Sequence, residues 1–182
     1  VILAPMAGVT NMPFRVLCRK IEEELTGTSS GLYVCEMITS RGLVEGDRTS
    51  LSMLTFPESG TGGESIRSVQ LYGIDPVTVG RAVAILCGDH GVDHVDLNFG
   101  CPVPKVTRKG GGAALPWKRD LLAAILTEAV RASEAAVRAV GRARQVPVTM
   151  KMRLGIDEEH ETFLDAARAA DNAGIAAVAL HA

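Results

Sequence analysis

One cysteine stands apart from the other three. Cys101 lies in Asp96-Leu97-Asn98-Phe99-Gly100-Cys101-Pro102-Val103-Pro104-Lys105-Val106, framed by glycine and proline just past an apolar run. A cysteine in an apolar chain is usually inert core, but that framing argues against a place inside a regular element. A thiol with a free pKa of about 8.5 is mostly protonated at neutral pH and can serve as a proton donor. Cys18, Cys35 and Cys87 fall in helical or apolar stretches and read as core. None of the four shows C-x-x-C spacing. A structural zinc site and a disulfide framework are therefore not expected, and no metal is assigned. Reduced thiols of the cytosolic kind are the default.

Other polar residues recur where apolar runs end. Gln70 interrupts Val69-Gln70-Leu71-Tyr72-Gly73. A buried amide demands partners, which are either core groups or the heteroatoms of a bound ring. Lys151 alternates with Met150 and Met152 ahead of Arg153. A lysine facing the interior of a parallel sheet is costly unless it meets an anion or an electron-rich ring. His181 falls at the end of the last apolar run. Ala4-Pro5-Met6-Ala7-Gly8-Val9-Thr10 is either a plain turn or a small-residue wall that lets backbone approach a flat ligand. Lys105-Val106-Thr107-Arg108-Lys109 precedes three glycines. That stretch reads as a solvated loop or as a grip on a phosphate backbone. It is not a Walker loop, because no Gly-Lys-Ser/Thr follows.

The elements that must position these residues alternate in type. Strands are predicted over Val1–Ala4, Leu32–Met37, Ile66–Tyr72, Val92–Leu97, Val146–Met152 and Ala176–His181. Between them run helical patterns. Asn11 caps a helix with Phe14, Leu17, Cys18, Ile21 and Leu25 on one face; Asp75-Pro76 opens another. Leu122, Ile125, Leu126, Ala129 and Val130 begin a long helix running toward Val140. Glu158, Glu159 and Glu161 load the first turn of the last helix, with Phe163, Leu164, Ala167 and Ala170 as its buried stripe and Gly174 as its stop. Thr49–Glu64 reads as a mobile polar loop. The order βαβαβαβαβαβ implies an α/β fold with a mainly parallel sheet. No G-x-G-x-x-G follows the first strand, which weighs against a dinucleotide fold. Polar and Gly/Pro-rich sequence after nearly every strand favours a (β/α)8 barrel, which builds its site at those ends. Six strands fall short of eight, so the reading is a TIM barrel truncated after about its sixth strand.

Composition sets the limits. The chain has 182 residues, 47% hydrophobic and 22% charged, with a net charge of −2. That is too apolar for a disordered chain. No run reaches the roughly 18–20 apolar residues of a membrane span. With no global basic field, attraction for a nucleic acid has to be local.

Taken together, these stretches resemble the tRNA-dihydrouridine synthase family. The matching pieces are LAPMAGVTNMPFR at 3–15, CEMITS at 35–40, QLYG at 70–73, DLNFGCPVPKV at 96–106, PVTMKMRLG at 147–155 and ALHA at 179–182. The resemblance implies an FMN-binding TIM-barrel domain over residues 1–182, lacking strands seven and eight and a helical RNA-binding domain. It implies FMN contacts from Pro5, Met6, Ala7, Gln70, Asn98, Lys151 and His181, with Cys101 as catalytic acid. Asn98, Lys105, Arg108, Lys109 and Arg153 are implied to face RNA. The implied reaction is NADPH-dependent reduction of a uracil C5–C6 bond in tRNA by a cytoplasmic protein, monomeric at full length. Made alone, such a piece is expected to expose apolar surface, to bind FMN poorly and to aggregate. The alternatives are another FMN barrel reductase acting on a free pyrimidine, an inactive fragment, or a lyase using Lys151 as a Schiff base.

Overall fold

The computed structural model describes residues 1–57 and 64–182. Its chain runs β1 (Ile2–Leu3), α1 (Met12–Thr26), β2 (Leu32–Tyr33), β3 (Ile38–Thr39), α2 (Ser40–Val44), α3 (Arg48–Ser52), β4 (Ser68–Tyr72) and α4 (Pro76–Gly88). It continues with β5 (His94–Phe99), α5 (Pro104–Thr107), a 3-10 turn (Gly112–Trp117), α6 (Arg119–Ala139), β6 (Val148–Arg153), α7 (Phe163–Ala173) and β7 (Ala177–His181).

Every strand pair is parallel, and neighbours follow chain order. The expected second strand is broken into β2 and β3. A bridge from Val34 to Ser68 carries the ladder past the break, so the two pieces occupy one place between β1 and β4. A doubly wound sheet reverses its order at a switch point; this sheet does not. The fold is α/β with a parallel sheet of six places, consistent with part of a (β/α)8 barrel. No pairing joins β1 to β7 among the described residues, so the sheet stays open.

Paired residues of a parallel ladder point to the same side. One side carries Val69, Leu71, Val95, Leu97, Phe99, Val148, Met150 and Met152, all buried in one core with Val83, Leu86, Leu122, Ile125 and Leu126 of α4 and α6. The other side is polar, with Ser68 and Gln70, then His94, Asp96 and Asn98, then Thr149, Lys151 and Arg153. The strands are therefore not uniformly apolar as expected of doubly buried ones; they alternate.

The caps follow the sequence. Asn11 accepts from the Phe14 amide and Asp75 from the Thr78 amide, and Gly27 and Gly174 close their helices at positive φ. Other expectations fail for physical reasons. Helix α1 turns Arg15 and Arg19 inward, leaves Leu17, Ile21 and Leu25 exposed, and holds Cys18 only half-buried. The predicted stripe has nothing to pack on among the described residues, whereas Arg15 has a full set of partners. Its Nε donates to Glu64 Oε1 at 2.6 Å, Nη1 to the Thr10 carbonyl and Nη2 to the Thr55 carbonyl. Its guanidinium also lies 5.5 Å from the centre of the Phe56 ring. The predicted mobile loop Thr49–Glu64 is thus helical at its start, in α3, and fixed at Glu64; its residues 58–63 lie outside the described residues. Glu158–Glu161 precede α7 rather than cap it, and Asp165 is the acid of its first turn. In α7 the buried residues are Ala166 and Ala170, while Leu164 is exposed.

The Arg15–Glu64 pair ties the turn after β1 to the segment entering β4. Removing one partner of a buried pair strands the other charge, at about 3–5 kcal/mol. Arg15→Met is expected to lower unfolding stability by that amount in a urea titration. Adding Glu64→Leu to it is expected to restore most of the loss.

Candidate active site

The carboxyl ends of the strands surround a cavity of about 610 Å3. Pro5, Met6 and Ala7 form one wall, Gln70 and Asn98 line it from β4 and β5, and Cys101 lines it from the loop after β5. Lys151, Arg153 and His181 line it from β6 and β7. Nine residues singled out from the sequence thus share one cavity. Lys105 and Lys109 do not; they line a neighbouring one. Arg108 lines neither.

The wall is held locally. The Met6 carbonyl accepts from the Val9 and Thr10 amides, both at 3.0 Å, and the Met6 amide donates to Thr10 Oγ1 at 3.0 Å. Thr10 is fully buried. Gly8 takes the positive φ that this tight turn requires.

The floor is one hydrogen-bonded relay. Thr149 Oγ1 donates to Asp96 Oδ1 at 2.6 Å, and Gln70 Nε2 donates to Asp96 Oδ2 at 2.7 Å. With its Nε2 committed, Gln70 turns Oε1 toward Asn98, which donates from Nδ2 at 2.9 Å. Asn98 is then left to accept at Oδ1, from the Gly100 amide at 3.1 Å and the Cys101 amide at 2.9 Å. The lower branch follows the same logic. Because the Thr149 proton goes to Asp96, Thr149 accepts from His94 Nε2 at 2.9 Å, and His94 Nδ1 accepts from Ser68 Oγ at 2.6 Å. His94 is therefore the neutral Nε2–H tautomer, and burial pushes its pKa down. Burial pushes the Asp96 carboxyl up, against the hydrogen bonds from Thr149 and Gln70.

The sequence singled out Gln70 and Asn98 but missed Ser68, His94, Asp96 and Thr149. The signal was present as polar residues at every second position of three strands, hidden by the apolar residues between them.

The cysteine loop has two further anchors. Arg153 Nε donates to the Gly100 carbonyl at 2.9 Å. The Ala113 amide donates to the Cys101 carbonyl at 3.1 Å. Gly112 sits at φ +56°, where a Cβ would lie 2.3 Å from that carbonyl oxygen. At least this glycine of the triplet serves the cysteine loop by close packing.

Charge is concentrated at the β6–β7 end. Lys151 Nζ lies 3.5 Å from His181 Nδ1. The Lys151 and Arg153 charges push the His181 pKa down, and burial, helped by Arg153, pushes Lys151 down. The arrangement can hold a flat ring with an electron-rich edge toward these groups and a thiol near its border. Among the described residues no group of three His, Cys, Asp or Glu side chains could hold a metal ion, and no helix is long and apolar enough to cross a membrane.

Two outcomes are expected. Gly112→Ala adds a clash with Cys101 that Gly141→Ala, also at positive φ but with nothing near, does not. Peptide-resolved alkylation of Cys101 is expected to change severalfold in the first variant and not in the second. The second outcome concerns pH. His94 titrates below 6.5 in the fold, so as pH falls through about 6.5 the unfolded chain takes up a proton the fold refuses. Stability therefore drops. Asp96 acts with the opposite sign, upward from 3.8, because there the fold keeps a proton the unfolded chain releases. In urea titrations between pH 7 and 5, His94→Gln is expected to lose less stability than wild type.

A family model described as dihydrouridine synthase (Dus) matches residues 2–182. A probable tRNA-dihydrouridine synthase of Mycobacterium tuberculosis is 53% identical over 182 residues, covering 100% of this chain and 44% of the relative. One from Mycobacterium leprae is 49% identical, covering 99% of this chain and 49% of its own length. The tRNA-dihydrouridine synthase B of Escherichia coli K12 is 38% identical, with 99% and 49% covered. The chain thus spans about half the length of these relatives. It belongs to the dihydrouridine synthase family.

Proposed function

We propose that this chain carries the cofactor-binding and catalytic part of a tRNA-dihydrouridine synthase that uses FMN and NADPH. The observation carrying this reading is the gathering of Cys101, Gln70, Asn98, Lys151 and His181 on one cavity in a chain of this family. Cofactor sites typically enclose roughly 300–1,000 Å3, and the cavity of about 610 Å3 fits. Its donor set fits as well: amides for the heteroatoms of an isoalloxazine, cations for its electron-rich edge, and a small-residue wall for its flat face.

FMN held in this cavity, with NADPH as reductant, would supply hydride chemistry at C6 of a uracil ring. The protein supplies position and one proton. Pro5, Met6 and Ala7 would pack the ring, Gln70 and Asn98 would fix its rotation, and Lys151 with His181 would hold its polar edge. Cys101 donates its thiol proton to C5 from the opposite side, and solvent returns that proton. The uracil must leave the RNA stack to enter. Lys105, Arg108, Lys109 and Arg153 attract and seat the RNA backbone at the mouth, alongside Asn98. The protein acts on tRNA in the cytoplasm as a monomer.

Cys101→Ala, in the protein at its encoded length, is expected to keep its flavin absorbance. It is expected to lose roughly 10²–10⁴-fold in dihydrouridine formation on unmodified tRNA, the range of a general acid. Near-wild-type turnover would refute the assignment. Turnover of free uracil but not tRNA would move the enzyme to the free-pyrimidine reductases.

A further inference from the structure

We propose that a further cavity holds a guanine base of the RNA, the neighbour of the target uridine, with the Glu36 carboxylate as its acceptor and Asn11 as its donor. This rests on the RNA substrate proposed above. The cavity encloses about 320 Å3 between the start of α1, the residue Glu36 ahead of β3, and the chain at and just after the end of α3. That volume lies at the lower end of the usual range for a small-molecule site, roughly 300–1,000 Å3. Met12, Pro13 and Met53 give it apolar surface for the face of a ring.

Glu36 points to a ligand on its own. Its Oε2 is buried and has no hydrogen-bond partner. Buried polar atoms are nearly always partnered, and a carboxylate oxygen kept from water without a donor is costly. No ion pair among the described residues includes Glu36. Buried Arg15 is committed to Glu64 and to the Thr10 and Thr55 carbonyls. The terminal torsion of a glutamate turns easily. Either oxygen can therefore be offered to the cavity that Glu36 lines.

The other polar residues of the lining set the ligand's pattern. Ser52 Oγ donates to the Thr49 carbonyl at 2.8 Å, and Thr55 Oγ1 donates to the Ser52 carbonyl at 2.7 Å. With their protons committed, both hydroxyl oxygens can only accept. Asn11 Oδ1 accepts from the Phe14 amide at 3.2 Å, which leaves Nδ2 to donate. The side chains of the cavity thus offer a carboxylate, two further acceptors and one donor. Guanine matches that set: N1–H and N2–H stand side by side to donate to a carboxylate, and O6 beside them accepts. Adenine, cytosine and uracil lack two adjacent donors. Unpaired bases of RNA are read in this way, on their Watson–Crick edges.

Position gives the site its meaning. Met37 lines the cavity that holds Cys101, and Glu36 lines this one. Consecutive residues are about 3.8 Å apart at Cα. Ala7 lines the first cavity and Asn11 this one, at the two ends of the turn held by Met6 and Thr10. One residue step and one tight turn therefore separate the two spaces. An RNA strand that drops its target uracil into the first can set the adjoining base into the second. A guanine held there would select which uridine faces Cys101.

The test uses the flavin-loaded protein at its encoded length. RNA hairpins with guanosine on either side of the target uridine are compared with hairpins carrying inosine there, which lacks only the N2 amino group. Wild type is expected to bind the guanosine hairpin about tenfold more tightly at one of the two places, the size of a hydrogen bond to a charged group. Glu36→Gln is expected to bind it about tenfold more weakly than wild type and to lose the preference over inosine, with flavin absorbance and melting temperature unchanged. Asn11→Asp keeps a good helix cap but turns an acceptor toward O6, and is expected to weaken the guanosine hairpin severalfold. Indifference of wild type to the base on both sides, or an undiminished guanosine preference in Glu36→Gln, would overturn the proposal. So would an equal loss on both hairpins with a lowered melting temperature, which would make Glu36 a structural residue. Glu36-dependent binding of spermidine without any base preference would likewise overturn it, by assigning the cavity to a polyamine. Dihydrouridine formation by wild type is scored separately, so the subsite and the reaction can fail independently.

Discussion

The direction of one hydrogen-bonded chain determines how the site is built. Asp96 accepts at both of its oxygens, and the backbone amides of Gly100 and Cys101 can only donate. Between them stand two side-chain amides, each with one accepting and one donating end. Only one orientation of Gln70 and Asn98 satisfies both ends. Reversing either amide would set donor against donor at the Cys101 amide or acceptor against acceptor at Asp96. The carboxylate on β5 thus fixes two amides that face the cavity and, through them, the backbone carrying the thiol.

Such a chain is costly to bury and pointless unless complete, because a half-satisfied polar network is worse than an apolar one. The structure completes it downward as well, through Thr149, His94 and Ser68. It completes the frame sideways with Arg15 and Glu64, which join the Pro5–Thr10 turn to the chain entering β4. A rigid floor and a tied wall hold the groups facing the cavity in fixed positions, as orientation-dependent chemistry requires.

Much of this was legible in the sequence where local rules act alone. The helix caps at Asn11 and Asp75, the stop at Gly174, the parallel sheet, and Cys101, Gln70, Lys151, His181 and the Pro5–Ala7 turn follow from residue type and position, whereas Asn98 and Arg153 came with the family resemblance. What was lost depended on tertiary partners. Arg15 looks like the solvent side of an amphipathic helix until Glu64, far along the chain, supplies its counter-charge. Leu17, Ile21 and Leu25 look like core until the fold gives them nothing to meet. His94 and Thr149 were missed, because a strand's two faces separate only when its neighbours' registers are known. Gly112 read only as one of three glycines ending a solvated or phosphate-gripping loop, because closeness to the Cys101 carbonyl is invisible in one dimension.

The charges at the mouth explain why the site suits an electron-rich partner. Lys151, Arg153 and His181 stand together on neighbouring strands, and the protein supplies little to offset them. Asp96 is the carboxylate that acts on Lys151, and it is already committed to Thr149 and Gln70. Burial and then the Arg153 charge push the Lys151 pKa down, and the Lys151 and Arg153 charges push that of His181 down. A cavity that crowds cations without neutralising them favours whatever brings electron density to that end. The same charges favour the neutral form of His181, whose Nδ1 lies 3.5 Å from Lys151 Nζ. Polarity fixed from below by Asp96 and charge left unbalanced from the side therefore meet at one ring-sized space, with Cys101 at its border.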